Sequence, residues 1–133
     1  MKPIAARIPK GLPMGTRIDV CDNSGAKIIK IFSVKGAKTS KGRYPAAGIG
    51  DLVNASIVKG KPGMKKQVVQ AVIVRQKQPY RRLSGEHVRF EDNAAVVLKD
   101  EKGSPRGTIF KGAIAKEAAD RWPEIAKVAS IVV

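Results

Sequence analysis

The chain has 133 residues, of which 26 are Lys or Arg and 11 are Asp or Glu, so its formal net charge is +15. This length predicts one domain, and a hydrophobic fraction of 43% is enough for a folded core, which distinguishes the chain from a disordered basic tail. One cysteine and one histidine exclude an internal disulfide and a four-ligand zinc site, so we expect no metal.

The first half of the chain predicts an extended arm followed by strands. Residues 1–15 contain three prolines and show no periodicity, which indicates an arm that either lies on another surface or stays loose. Alternating and β-branched residues then predict three strands, Thr16–Cys21, Lys27–Val34 and Asp51–Val58. Between the second and third of these, Gly36–Gly50 is a long loop, and loops of this length in compact domains are usually functional.

The second half predicts further strands and one hairpin. Gln67–Arg75 is the most apolar segment, and its unbroken valines and isoleucine indicate a strand that is buried on both faces. Gln76–Phe90 is typical of a hairpin that turns at Ser84-Gly85. Two shorter strands are predicted at Ala94–Leu98 and Thr108–Phe110.

The hydrophobic period changes to a helical one only after Gly112. Ile114, Ala118 and Trp122 then follow one another at intervals of four, which places them on one face of a helix that Pro123 ends. Proline is also favoured at the first position of a helix, so a second short helix is predicted at Glu124–Ala129.

These elements together indicate a mainly β fold. Short strands at regular spacing, joined mostly by tight turns, predict a small closed antiparallel barrel with basic loop and hairpin protrusions and two short C-terminal α-helices. We expect residues 1–133 to form a single domain, with residues 1–15 as an N-terminal arm and residues 112–133 as a helical appendage.

The positive charge is concentrated in the predicted loops and turns. A net charge this large is usually met by a polyanion, and nucleic acid is the leading candidate; an anionic membrane surface, an acidic protein and merely solvated loops are the alternatives. Charge alone does not distinguish RNA from DNA. The cations that we predict to bind nucleic acid are Lys35, Lys38, Lys41, Arg43, Lys59, Lys61, Lys65, Lys66, Arg75, Lys77, Arg81, Arg82 and Arg89.

The aromatic residues are too few and too dispersed for a platform that stacks successive bases of a single strand. Tyr44 and Tyr80 lie in basic loops and are candidates for stacking on one base each, with ordinary loop packing as the alternative. This distribution favours recognition of folded RNA through its shape and its phosphates.

Motifs of enzymes are absent or incomplete in the sequence. The glycines of Gly36–Gly42 are not followed by the Lys-Ser/Thr pair of a phosphate loop, and Gly48-Ile49-Gly50 lacks the third glycine of a dinucleotide loop. His87 lies in a basic hairpin, where a solvated or RNA-facing role is expected. We therefore predict no catalytic residue, no cofactor and no small-molecule substrate. No apolar run is long enough to span a membrane, and residues 1–12 lack the apolar segment of a secretory signal, so a cytoplasmic protein is expected.

Five segments occur in the order and approximate spacing of a known family. They are Val20-Cys21-Asp22-Asn23-Ser24-Gly25-Ala26, Gly48-Ile49-Gly50-Asp51, Ala71-Val72-Ile73-Val74-Arg75, Val88-Arg89-Phe90-Glu91-Asp92-Asn93-Ala94, and Gly107-Thr108 with Gly112. From about residue 15 to the end, the chain resembles the universal large-subunit ribosomal protein numbered fourteen. The run from Arg43 to Gly48 and the tail from Ala115 to Pro123 are similar to its archaeal and eukaryotic branch, and the short arm points to an archaeon.

The resemblance implies a five-stranded barrel that binds large-subunit ribosomal RNA and contributes to intersubunit bridges by touching small-subunit RNA. It also implies contacts with the neighbouring universal large-subunit protein numbered three and with the anti-association initiation factor numbered six. The C-terminal residues expected to make protein contacts are Ile114, Glu117, Ala118, Arg121 and Trp122.

Two other functions stay open at the level of sequence. A free nucleic-acid-binding barrel, which coats single strands or acts like a chromatin protein, would prefer unstructured oligonucleotides. An RNA-modifying enzyme would need a cofactor loop or a set of convergent catalytic residues, and no such motif is present in the sequence.

Overall fold

A computed structural model describes residues 3–36 and 40–133. The described residues form short strands and two helices, in the order β1 (Ala6–Arg7), β2 (Leu12–Pro13), β3 (Arg17–Val20), β4 (Ala26–Val34), β5 (Ala46–Ala47), β6 (Leu52–Gly60), β7 (Val68–Arg75), β8 (Tyr80–Arg82), β9 (His87–Val88), β10 (Ala94–Leu98), β11 (Ala113–Ile114), α1 (Lys116–Arg121), α2 (Pro123–Val128) and β12 (Ile131–Val132).

Five of the strands close into a barrel in the order β10-β3-β4-β6-β7, which confirms the predicted fold class. Every neighbouring pair in the barrel is antiparallel except β10 and β3, which are parallel. A closed ring with an odd number of strands cannot alternate direction throughout, so one parallel pair is required. That pair joins Ala94 to Asp19 and Ala95 to Val20.

The barrel core consists mainly of aliphatic side chains. In β4, Ile29 and Ile31 are fully buried while Lys30 between them is exposed, as the period of two in a strand requires. The predicted burial of β7 on both faces is confirmed, because every residue from Ala71 to Val74 is fully buried. β7 is covered from outside by the C-terminal segment, where the Ala115 N–H donates to the Val74 carbonyl.

Two predicted elements differ from the structure. Thr108–Phe110 is not a strand, because the N–H groups of Thr108 and Ile109 donate to the side-chain oxygen of Asn23. Only Phe110 forms an isolated β-bridge, and its partner is Asp22. Ile114 lies in β11, not in the first helix, because it pairs with Val132 of β12. Both predicted helices are present: the first is shorter than predicted and ends before Trp122, and the second begins and ends one residue earlier than predicted.

The N-terminal arm lies along the barrel. Its strand β1 pairs with β8 and its strand β2 pairs with β5. Between these strands the arm packs on the Gly48–Asp51 turn: a β-carbon at Gly48 would lie 2.8 Å from Cγ2 of Ile8, so only glycine leaves room for that side chain. The Lys10 ammonium then contacts the Asp51 carboxylate at 2.6 Å.

Candidate nucleic-acid interface

The β6–β7 turn, which includes the last two residues of β6, presents the densest group of cations among the described residues. Lys59, Lys61, Lys65 and Lys66 are all exposed, and no described residue forms an ion pair with them. The backbone of this turn is held by hydrogen bonds from the Lys61 N–H to the Gly25 carbonyl at 3.0 Å and from the Lys66 N–H to the Ile57 carbonyl at 2.8 Å. The backbone of the turn is thus held by hydrogen bonds while its ammonium groups face solvent, an arrangement that suits contacts with phosphates.

The long loop before β6 adds exposed cations and one aromatic ring. Lys41 and Arg43 are exposed, and Tyr44 is 80% exposed, so its ring is accessible for stacking. Lys35 is exposed beside the loop and forms a 3.5 Å contact with Glu101, an ion pair too solvated to hold either side chain firmly. The predicted cation Lys38 lies outside the described residues.

The β8–β9 hairpin carries a further set of exposed cations. Lys77, Arg81 and Arg89 are exposed, and Lys77 and Arg89 line a cleft of about 360 Å³ together with Phe90 and Glu91. The backbone at the base of this hairpin is held by the Asn93 side chain, which accepts the Lys77 N–H at 2.8 Å.

Arg75 is directed into the protein, although it was predicted to face nucleic acid. Its guanidinium forms a two-pronged ion pair with Asp92, at 2.9 and 3.3 Å, and donates from Nη1 to the carbonyls of Lys111 and Ala113 at 2.9 Å. Gly112 lies between those carbonyls, and a β-carbon there would meet Nη1 of Arg75. Arg75 thus ties the start of the C-terminal segment to the barrel.

Tyr80 and Arg82 are also committed to internal contacts. Tyr80 is 1% exposed, and its hydroxyl donates to Oε2 of Glu117 at 2.7 Å, so its ring is closed to base stacking. Arg82 donates from Nε to Oε1 of Glu117 at 2.7 Å and from Nη2 to the Val133 carbonyl at 2.6 Å. These contacts hold the hairpin against α1 and the C-terminal residue.

The ionisation of this cluster follows from its burial and hydrogen bonds. Burial raises the pKa of the Tyr80 hydroxyl, and its hydrogen bond to Glu117 raises that pKa further. Burial by itself would lower the pKa of Arg82, but its hydrogen bonds to Glu117 and Tyr80, together with the charge interactions with both groups, make the net shift upward. The cluster therefore keeps a neutral phenol and a charged guanidinium around one buried carboxylate.

The residues predicted for protein contacts also face the interior. Ile114 and Ala118 are fully buried, Glu117 serves the cluster above, and the Trp122 indole donates to the Gly50 carbonyl at 2.8 Å. Arg121 donates from Nη1 to Asp51 at 3.2 Å. These side chains hold the helices on the barrel.

The Asp22-Asn23 turn has an internal role as well. The Asp22 carboxylate accepts the N–H groups of Ser24 at 3.1 Å and Val97 at 2.9 Å, and the Asn23 amide oxygen accepts the Thr108 N–H at 2.8 Å. The sequence motifs that carry the family resemblance thus mainly join barrel, arm and appendage. Most of the exposed cations lie outside them.

No group of three or more His, Cys, Asp or Glu residues that could hold a metal ion occurs in the described ranges. Within those same ranges, no helix is long and apolar enough to cross a membrane. Cys21 is buried, and burial raises the pKa of its thiol to about 11, which makes it a poor nucleophile at neutral pH.

Fold and charge together define a small basic β-barrel protein whose cations project from rigid turns. Residues 11–133 match the family described as Ribosomal protein L14p/L23e. The chain is 53% identical to the large ribosomal subunit protein uL14 of Nanoarchaeum equitans and 51% identical to that of Thermoplasma acidophilum, over 133 residues that cover all of each chain. The chain therefore belongs to the Ribosomal protein L14p/L23e family.

Membership of this family makes the chain a structural constituent of the large ribosomal subunit and not an enzyme. It also places the protein in the cytoplasm as part of that subunit. The predicted family is confirmed, and its archaeal side agrees with the relatives from Nanoarchaeum and Thermoplasma.

Proposed function

We propose that this protein binds large-subunit ribosomal RNA through the cations of its protruding turns and loops. The observation that carries the proposal is the β6–β7 turn, where four lysines are exposed without an ion pair to any described residue. Cations held this close together repel one another, and the phosphates of a folded RNA relieve that repulsion and release counterions.

The proposed RNA surface contains the predicted residues whose side chains are exposed and leaves out those that are buried or half-buried. Arg75, Tyr80 and Arg82 are left out because their polar groups are occupied inside the protein. The proposed set is Lys35, Lys41, Arg43, Tyr44, Lys59, Lys61, Lys65, Lys66, Lys77, Arg81 and Arg89.

The test measures affinity for a transcript of large-subunit ribosomal RNA. It compares the wild type with a quadruple variant in which four lysines are replaced by Gln: Lys59, Lys61, Lys65 and Lys66. Affinity falls as salt rises, and each lost phosphate contact makes the plot of log affinity against log salt less steep by about 1. The magnitude of the slope should therefore be smaller by about 3 to 4 in the variant. The unfolding temperature should stay close to that of the wild type, because these side chains are exposed.

A matched control separates local contacts from total charge. Replacing Lys99, Lys102, Lys116 and Lys127 by Gln removes the same charge from exposed positions outside the proposed surface. The control should bind RNA nearly as the wild type does. Equal losses in the two variants would reject the assignment of the turn, and a preference for unstructured oligonucleotides would favour a free single-strand-binding protein.

We further propose, on the family resemblance, that the bound protein contributes to bridges with small-subunit RNA. Its protein partners would be the universal large-subunit protein numbered three and the anti-association initiation factor numbered six. The exposed side chains of Asp120, Glu124 and Lys127 on the two helices support a protein-binding face of mixed charge. Reversing Asp120 and Glu124 to Lys should weaken capture of the initiation factor by purified large subunits, and unchanged capture would contradict this part of the proposal.

A further inference from the structure

The N-terminal arm and the β8–β9 hairpin bring three basic side chains into one row. Arg7 of β1 lies directly opposite Arg81 of β8, and Arg81 lies directly opposite His87 of β9. Directly opposed residues of antiparallel strands project from the same face of the sheet. All three side chains are exposed, whereas Ala6 and Val88 beside them pack toward the core.

Within residues 3–36 and 40–133, this row has no partner of opposite charge. No described acidic residue forms an ion pair with Arg7, Arg81 or His87. Neighbouring strands lie roughly 4.8 Å apart, so Arg7 and Arg81 are separated by less than the Debye length of roughly 8 Å at physiological salt, and their repulsion is only partly screened. Arg7 and Arg81 also line a cleft of about 280 Å³ with Arg82 and Leu83.

The Arg7–Arg81 pairing is unfavourable in the free protein, because like charges directly opposite each other destabilise a sheet. β1 contributes only Ala6 and Arg7 to this sheet, so few backbone hydrogen bonds oppose the repulsion. An anion between the two guanidinium groups would convert the repulsion into attraction, since each guanidinium donates to phosphate oxygens in a forked geometry.

We propose that Arg7, Arg81 and His87 form a phosphate-binding row for an RNA backbone, and that RNA bound there holds strand β1 of the arm on the hairpin. The proposal rests on the proposed function and extends it to the arm. It adds Arg7 and His87 to the RNA surface and couples the order of residues 6–7 to RNA binding.

The test compares the wild type with a double variant, Arg7→Gln with Arg81→Gln, using the same large-subunit RNA transcript. The salt slope should fall by about 2 in the double variant. Hydrogen exchange at Ala6 and Arg7 should slow at least about tenfold when RNA binds the wild type, and should change little when saturating RNA binds the double variant.

Three further variants separate the effects of charge, geometry and position. Lys99→Gln with Lys116→Gln removes the same charge from exposed sites elsewhere and should leave the exchange of the arm unchanged relative to the wild type. Arg7→Lys with Arg81→Lys keeps both charges and should keep the wild-type salt slope. The single Arg7→Gln variant, altered only in the arm, should lower the slope by about 1.

The outcomes separate this inference from the proposed function. If the wild type binds the RNA and the double variant keeps the same slope and the same protection of the arm, the row is rejected while the proposed function stands. If the wild type does not bind the RNA, the proposed function itself fails. A double variant that loses the slope but unfolds well below the wild type would also reject the row, because the arginines would then be structural.

Discussion

Arg121 donates from Nη1 to Oδ1 of Asp51 across 3.2 Å, and this pair joins α1 to the glycine-rich turn before β6. The same carboxylate accepts the Gly48 N–H at 2.8 Å and the Lys10 ammonium at 2.6 Å, both at Oδ2. A single buried carboxylate therefore connects the arm, the turn and the C-terminal helices. Asp51 belongs to one of the segments that carry the family resemblance.

Asp51→Asn should destabilise the protein by about 2 kcal/mol. The substitution removes the charge that Lys10 and Arg121 share, and one retained amide oxygen cannot serve all three donors. Urea unfolding measures the loss. The control is Glu101→Gln, which affects only exposed contacts and should cost less than about 0.5 kcal/mol. Equal effects of the two substitutions would contradict the connecting role of Asp51.

Glu117→Gln should cost about 3 kcal/mol. The buried carboxylate accepts from Tyr80 and Arg82, and an amide group would turn one acceptor into a donor that faces a guanidinium or a hydroxyl. The matched control is Glu124→Gln in α2, whose 3.3 Å pair with Lys127 is exposed and worth little. Thermal or urea unfolding of both variants checks the difference, and a loss below about 1 kcal/mol at Glu117 would argue that the cluster does not hold the hairpin on α1.

Gly103→Ala should destabilise the protein more than Gly63→Ala. Both glycines have positive φ, at +97° and +89°, so alanine is strained at either position. Only at Gly103 would the new β-carbon meet the buried ring of Trp122, at 2.6 Å, while the space around Gly63 is open. We expect about 1 kcal/mol at Gly63 and about 3 kcal/mol at Gly103 in urea unfolding. Similar values would show that the ring moves aside at no cost.

The buried thiol of Cys21 should make stability fall in alkaline solution. Burial raises its pKa from 9.0 to about 11 in the folded chain, so between those values the unfolded chain binds fewer protons than the folded one. This contribution is complete below pH 9 and decreases as pH rises to 11, by about 2 kcal/mol. Urea unfolding of the wild type and of Cys21→Ala at pH 7.5, 9 and 10.5 isolates the contribution of the thiol. The lysines titrate in both proteins, so their effect cancels in the difference. Parallel pH curves for the two proteins would contradict the assignment.

The local sequence was enough to predict the barrel strands. Alternation and β-branched residues place Ala94–Leu98 with the same bounds as β10 and place the other barrel strands within about two residues. Local sequence patterns did not predict the smallest paired strands. β1, β5, β11 and β12 contain two residues each, and they exist only because a distant segment supplies their hydrogen-bonding partner.

The orientation of the predicted cations was foreseen less well than the strands, because charge in a loop does not reveal where the side chain points. Arg75 and Arg82 meet acids 17 and 35 residues away, pairings that no local pattern encodes. One feature of the sequence could have indicated that a cation such as Arg82 is buried. Glu117 lies beside Ala118 within the apolar side of the C-terminal segment, and an acid in such a position needs a buried cationic partner.

Cross-linking within purified large subunits tests the central claim most directly, because it reports which residues of the bound protein touch RNA. After ultraviolet irradiation and digestion, mass spectrometry should find ribosomal RNA adducts on peptides that contain the turn of residues 59–66 and on Tyr44. Tyr80 and Trp122 should carry none, because both rings are buried. Adducts on Tyr80 or Trp122, with none on the turn, would contradict the account.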